Sequence, residues 1–263
     1  MKKNASESNS MLENNEGRII KPFNYSGKKR FLVMARVGDT SLHKEWLHPD
    51  RKFDLFLEYF GDGSNNYKED CDFYSEAKNS KWPRFHKIIE DFGDHIFKYD
   101  AVWMPDDDIS TDCSTIHQLF DLFTKYKLSL AQPSLSKDSY YSHDITRQVP
   151  RSILRYTNFV EVMVPLFSRE ALQLCWDTFK KSKSGWGLDS VWPKLLGNPR
   201  NKIAIIDEVS VKHTRPLRKG TLYDDIHYTL SDSKIELHCI CKEYGVKEPF
   251  NFKINRTLPK KKR

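Results

Sequence analysis

The segment WMPDDDIS places Asp106, Asp107 and Asp108 directly after an apolar run. Three adjacent carboxylates repel one another, and a divalent cation relieves that repulsion most directly, with oxygen ligands suited to Mn2+ or Mg2+. Such a cation would in turn neutralise a diphosphate. The plain alternative is an acidic loop that caps the next helix, Asp112 included. GWGLDSVW sets Asp189 behind a Gly-Trp-Gly, at the start of a helical pattern where an anion is favoured, although simple capping would account for it. In VSVKHTRP, His213 falls just past another apolar run. A lone His is commonly structural, but a neutral imidazole could complete a carboxylate metal site. Arg36 with Gly38-Asp39 closes the first apolar run, where a nucleotide could be received, without the glycine pattern of a dinucleotide fold or a P-loop. Trp103, Trp186 and Trp192 lie close in sequence to these acids and could stack on a sugar or fill the core.

The elements that would position these residues alternate along the chain. Arg30–Val37 and Lys52–Phe60 have the β-branched and aromatic content of buried strands. Lys81–Phe92 carries Phe85, Ile88, Ile89 and Phe92 at helical spacing, with Pro83 in the first turn. Tyr99–Met104 is a third strand that runs into the aspartates, and Ile116, Leu119, Phe120 and Phe123 repeat the helical stripe behind Asp112. Leu128–Ala131, Phe159–Val164 and Lys202–Ile206 are further strands. Ser168 caps a helix bearing Leu172, Cys175, Trp176 and Phe179, and Ser231–Tyr244 is a last helix. Strands alternating with helices imply an α/β domain, a mixed, mostly parallel sheet with helices on both faces. Ligands of such sheets bind beyond the carboxyl ends of the strands, which is where the acids and His213 fall. The domain is expected over residues 28–220, behind a disordered segment 1–27 and ahead of a C-terminal helix and basic tail over 221–263.

Composition narrows the classes. The chain has 263 residues with 43 Lys+Arg against 36 Asp+Glu, a net charge of +7. Arg256, Lys260, Lys261, Lys262 and Arg263 supply most of that surplus, so a nucleic-acid interface, which needs a cationic folded face, is not expected. The basic tail suits peripheral contact with an anionic membrane, or is simply solvated. No apolar run is long enough to span a bilayer and the first residues lack a signal peptide's apolar stretch, which gives a cytoplasmic expectation. Five scattered cysteines are expected as reduced thiols; Cys239 and Cys241 with His238 lack a nearby fourth metal ligand.

Seven ordered blocks carry a resemblance: ARVGDTSLHKEWL (35–47), SKWPRFHKI (80–88), YDAVWMPDDDIS (99–110), LAQPSLS (130–136), RYTNFVEVMVPLFSREAL (155–172), SGWGLDSVWP (184–193) and DEVSVKHTRP (207–216). Together they resemble the glycosyltransferase-like family catalogued as domain of unknown function 707, whose plant members are labelled lysine-ketoglutarate reductase trans-splicing related. The resemblance implies a single GT-A-type domain in which a DxD motif holds a divalent metal and the diphosphate of a nucleotide sugar. By position that motif is Asp106–Asp108, with Asp106, Asp108 and His213 as metal ligands. Arg36, Asp39, Asp106, Asp107, Trp186 and Arg215 would then meet the donor. Asp189 matches the acid that takes the acceptor's proton in inverting enzymes, while Leu188 departs from the second acid that many of them carry. Gln132-Pro133 and Asn158 with Glu161 are implied as pocket lining. The activity so implied is transfer of a sugar from a nucleoside-diphosphate sugar to a glycan or lipid-linked acceptor, with inversion, in surface polysaccharide or glycan synthesis. A carboxylate-metal phosphodiester hydrolase and an inactive nucleotide- or glycan-binding fold are the rival readings.

Overall fold

The computed structural model describes residues 17–63, 67–216, 229–248 and 250–260. Its eleven strands are β1 (Arg18–Lys21), β2 (Phe31–Val37), β3 (Phe53–Tyr59), β4 (Phe73–Glu76), β5 (Ala101–Trp103), β6 (Ile109–Ser110), β7 (Leu130–Leu135), β8 (Ser152–Thr157), β9 (Leu166–Ser168), β10 (Ile203–His213) and β11 (Ile254–Pro259). The helices are α1 (Lys81–Ile96), α2 (Cys113–Lys125), α3 (Arg169–Cys175), α4 (Leu188–Leu195) and α5 (Leu230–Glu243). One sheet runs β1-β4-β3-β2-β5-β9-β7-β10-β8-β11, with β6 pairing on the end of β10. Strands β4, β3, β2 and β5 are mutually parallel, as are β7 and β10, and β9 is inserted antiparallel between the two groups. The α/β class with a mixed sheet expected from the sequence is the one observed.

Alternate residues of β2 go to opposite sides, because successive side chains of a strand point to opposite faces. Val33, Ala35 and Val37 pack with the α2 stripe Ile116, Leu119, Phe120 and Phe123. Leu32 and Met34 pack with Phe85, Ile88 and Ile89 of α1, Leu172 of α3 and Trp192 of α4. Asp112 caps α2 by accepting from Thr115 N at 2.7 Å, and Ser168 caps α3 from Ala171 N at 3.2 Å. Trp103 and Trp192 are fully buried core side chains, which removes them as sugar platforms.

Three expectations are corrected. Phe159–Val164 is not a strand; it is a loop between β8 and β9, buried because it runs beneath the carboxyl ends of the sheet. The segment expected to be disordered over 1–27 contains β1, which pairs antiparallel with β4, and Phe23 packs on Phe56 and Phe73; residues 1–16 lie outside those described. The tail contains β11, antiparallel to β8, and Lys260 reaches Glu208 at 2.8 Å; Lys261–Arg263 lie outside the described residues, as do 217–228. Both ends therefore add edge strands to the sheet. No helix among the described residues is long and apolar enough to cross a membrane.

Candidate active site

A cavity of about 510 Å3 opens beyond the carboxyl ends of β2, β5 and β10. Three chain segments meet there for local reasons. After β5 the chain turns at Pro105 through the aspartates into β6, whose pairing with β10 sets Ile109 opposite His213. The Asp108 carbonyl accepts from Thr214 N at 3.1 Å and Thr214 Oγ1 at 2.9 Å, which ties the acidic loop to the exit of β10. The third segment is Ser182–Gly187, which leads into α4.

Each aspartate has a different partner. Asp106 Oδ1 receives Lys81 Nζ at 2.6 Å. Lys81 opens α1, where the helix dipole disfavours a cation, and it also donates to the carbonyls of Met104 and Val162. Asp106 is walled by protein yet its side chain keeps 39% of its surface open to the cavity. Burial pushes its carboxyl up, with Lys81 pulling against it. Asp107 is committed inward, accepting from Gly38 N at 2.8 Å and from Arg215 at 2.8 Å. Burial raises its carboxyl as well, opposed chiefly by Arg215. Asp108 Oδ2 lies 3.0 Å from His213 Nε2, while its Oδ1 is buried with no hydrogen-bond partner among the described residues.

His213 Nδ1 sits 3.1 Å from the Tyr140 carbonyl, an acceptor that requires the proton on Nδ1. The Nε2 lone pair then faces a carboxylate, and a cation must lie between them. Burial lowers the imidazole's affinity for a proton, but the bond to Asp108 and the charges of Asp108 and Asp106 outweigh burial and raise it. A divalent metal fits the same pair of donors, with the orphaned Asp108 Oδ1 beside it. The expected trio is thus divided: Asp108 and His213 are joined, and Asp106 is held by Lys81. Among the described residues no three His, Cys, Asp or Glu side chains gather to hold a metal ion, so a metal here would take its remaining ligands from phosphate and water, as Mg2+ sites commonly do.

Asp189 lies in the first turn of α4 and faces the same cavity. Burial pushes its carboxyl up to about 7, against bonds from the backbone of Ser190 and Gly187 that favour the charged form. Gly187 precedes it with φ +90, and a Cβ there would stand 2.3 Å from Ile240 Cγ2 of α5, so only glycine allows the helix to approach. Glu236 of α5 fixes the preceding loop, accepting from Lys183 N at 2.8 Å and Ser184 N at 3.0 Å. Leu188 is wholly buried, which explains an apolar residue at that position.

The remaining expected residues divide. Trp186 and Arg215 line the cavity, and Arg215 also donates to Thr40 O at 2.7 Å. Arg36 lines it too, but its guanidinium is occupied by Glu58 at 2.8 Å and by the carbonyls of Ala77 and Asn79. Glu58, fully buried, also pairs with Arg84 at 2.8 Å, so the three charges brace the wall. Asp39 does not line the cavity; it accepts from the Tyr59 hydroxyl and from the backbone of Asp62 and Gly63, holding the Gly61–Gly63 turn. Gln132 and Asn158 do not line it either: Gln132 Oε1 receives Glu161 N at 2.7 Å, and Asn158 binds the backbone of Asn251 and Lys253. Glu161 does line it. Sequence reasoning missed Lys81, His143, Phe250 and Phe252, all on the wall. Lys81 had a signal, a cation at the first position of an apolar helix; the others depend on the return of the C-terminal segment.

Residues 155–235 match the family model described as "Protein of unknown function (DUF707)". The resemblance to that family holds over this segment, which contains Glu161, Asp189 and His213. A comparison with curated proteins finds no match. Among solved structures the chain is similar to S. aureus TarS 1-349 in complex with UDP-GlcNAc, at 13% identity, covering 81% of this chain and 66% of that one, with a TM-score of 0.51. It is also similar to S. aureus TarS 1-349 in complex with UDP, at 11% identity over 83% and 72% of the two chains, with a TM-score of 0.44. The chain spans just under two thirds of the first of these. The likeness is one of fold.

Proposed function

We propose that this protein is a metal-dependent glycosyltransferase that moves a sugar from a nucleoside-diphosphate donor to an acceptor hydroxyl with inversion. One observation carries the reading: one cavity is lined by Asp108, His213 and Arg215 and also by Asp189, whose carboxyl makes no ion pair among the described residues. The fold shared with a structure holding UDP-GlcNAc supports a nucleotide-sugar donor, and UDP is the first nucleotide to test.

Asp108 and His213 would hold a Mn2+ or Mg2+ ion, which when bound offsets the charge on the diphosphate. Arg215, anchored on Asp107 and Thr40, presents a fixed cation to the departing diphosphate. Asp189 accepts the proton of the acceptor hydroxyl as that oxygen bonds to the anomeric carbon, and the bond from that carbon to the phosphate oxygen breaks with its electron pair leaving on the nucleotide. A carboxyl near 7 is matched to this task at neutral pH. Attack from the face opposite the diphosphate inverts the centre. The role in surface polysaccharide or glycan synthesis, a cytoplasmic setting, and membrane contact through the basic end of the chain belong to the same proposal.

The test is a thermal-shift series of nucleoside diphosphates and nucleotide sugars with and without Mn2+, on the wild type and Asp108→Ala. The expected result is a rise in midpoint with one nucleotide class that needs Mn2+ and vanishes in the variant, since a ligand of the native state stabilises it by mass action. No shift with any nucleotide, in a protein that stays folded, overturns the reading.

A further inference from the structure

Glu161 is an acid that the fold has no structural use for. It lies in the buried loop between β8 and β9, is 4% exposed, and lines the cavity. Its backbone N–H is fixed by Gln132 Oε1, which is itself fully buried. The Ser142 hydroxyl bonds the carboxyl, yet Oε2 is buried with no hydrogen-bond partner among the described residues. A buried oxygen left in this state costs stability, and native structures keep such groups rarely and for a reason. Away from the cavity the buried acids are paired: Glu58 has two arginines, and Asp207 takes a two-pronged bond from Arg155 at 2.9 and 3.0 Å.

The charges that act on Glu161 locate it. Asp189, His213 and Asp106 all act on it, and all four residues line the one cavity. A ligand whose diphosphate lies at His213 and whose reacting carbon faces Asp189 occupies the cavity that Glu161 lines, and the group between those two ends is the sugar ring. A sugar offers hydroxyl donors, and an unpartnered carboxylate oxygen is an acceptor.

We propose that Glu161 is a specificity-determining residue that accepts a hydrogen bond from a hydroxyl of the transferred sugar. This rests on the glycosyltransferase reading above, and the experiment separates the two. Binding of UDP and of a panel of UDP-sugars differing at single hydroxyls is measured for the wild type, Glu161→Gln and Glu161→Ala, together with the midpoints of the ligand-free proteins. UDP affinity is expected to stay within about twofold in both variants. UDP-sugar affinity is expected to fall roughly tenfold or more in Glu161→Ala and less in Glu161→Gln, whose amide oxygen still accepts, as suits a bond to a charged group. The ligand-free midpoint of Glu161→Gln is expected to rise by about 2–4 °C, because the change removes a buried charge. A purely structural role would lower that midpoint. Equal losses for UDP and UDP-sugar, no loss for either, or a lowered Glu161→Gln midpoint overturns the assignment. A wild type that binds no nucleotide overturns the glycosyltransferase reading and this one with it.

Discussion

Replacing Asp189 by Asn is expected to stabilise the ligand-free protein in a pH-dependent way while removing turnover. The carboxyl is moved by burial from its ordinary 3.8 to about 7. Below 3.8 it is protonated in both the folded and unfolded states and contributes nothing. As the pH rises, the unfolded chain ionises first, so the wild type loses stability progressively until the folded carboxyl also ionises near 7. At roughly 1.4 kcal/mol per pH unit, the full displacement corresponds to a cost of about 4 kcal/mol. Water entering the open cavity reduces this, so about 2 kcal/mol is the working figure. Burial, and after it the charge on Asp189, push Glu161 up to about 7, so removing that charge eases this group in the same window. Urea unfolding at pH 4 and pH 8 is the assay. Asp189→Asn should match the wild type to within about 0.5 kcal/mol at pH 4 and exceed it by about 2–4 kcal/mol at pH 8. Turnover should fall by about a hundredfold or more, the usual weight of a general base. A difference that does not change with pH, or a variant less stable at pH 8, would refute the placing of this carboxyl as a half-buried acid with no ion pair among the described residues.

Arg155→Ala leaves Asp207 buried and unpaired, and should cost about 3–5 kcal/mol in urea unfolding; a loss below about 1 kcal/mol would contradict the burial of this pair. Gly187→Ala meets both a positive φ and Ile240, and should cost about 2–4 kcal/mol with loss of donor-dependent turnover; an unchanged midpoint would mean that α5 does not pack as described. Because the raised His213 must shed its proton before a metal can bind, the Mn2+-dependent part of nucleotide stabilisation should shrink from pH 8 to pH 6; equal midpoint shifts at the two values would remove His213 from the metal's ligands.

Much of this site was legible because open α/β sheets put their chemistry where apolar runs stop. Asp106–Asp108, Asp189 and His213 each follow or precede such a run, and the structure brings all of them to one cavity. What the sequence could not separate was the work of each acid. Asp107 and Asp106 are both carboxylates in one motif, yet one is consumed by Gly38 and Arg215 and the other by Lys81, and that division depends on contacts made across the sheet. The loop Phe159–Val164 has a buried strand's apolar content because it is itself mostly buried, and burial alone does not make a ladder. Strands β1 and β11 went unread because each is short and half polar; such edges become strands through the partner they meet. Arg36 and Asp39 have the right types at the right strand end, but their charges are spent on neighbours.

The packing of α5 on Gly187 has a meaning for how the protein is made. Leu237, Phe250 and Phe252 wall the cavity, and Glu236 holds the loop that delivers Asp189. During synthesis the acidic loop, Asp189 and His213 are all made before these residues exist. Until the chain has reached at least Phe252, the base lacks its cover and the pocket lacks a side. A product ending before Leu230 would carry Asp106–Asp108, Glu161, Asp189 and His213 on an unclosed scaffold, so the order of translation itself withholds the assembled cavity until Phe252 has been made.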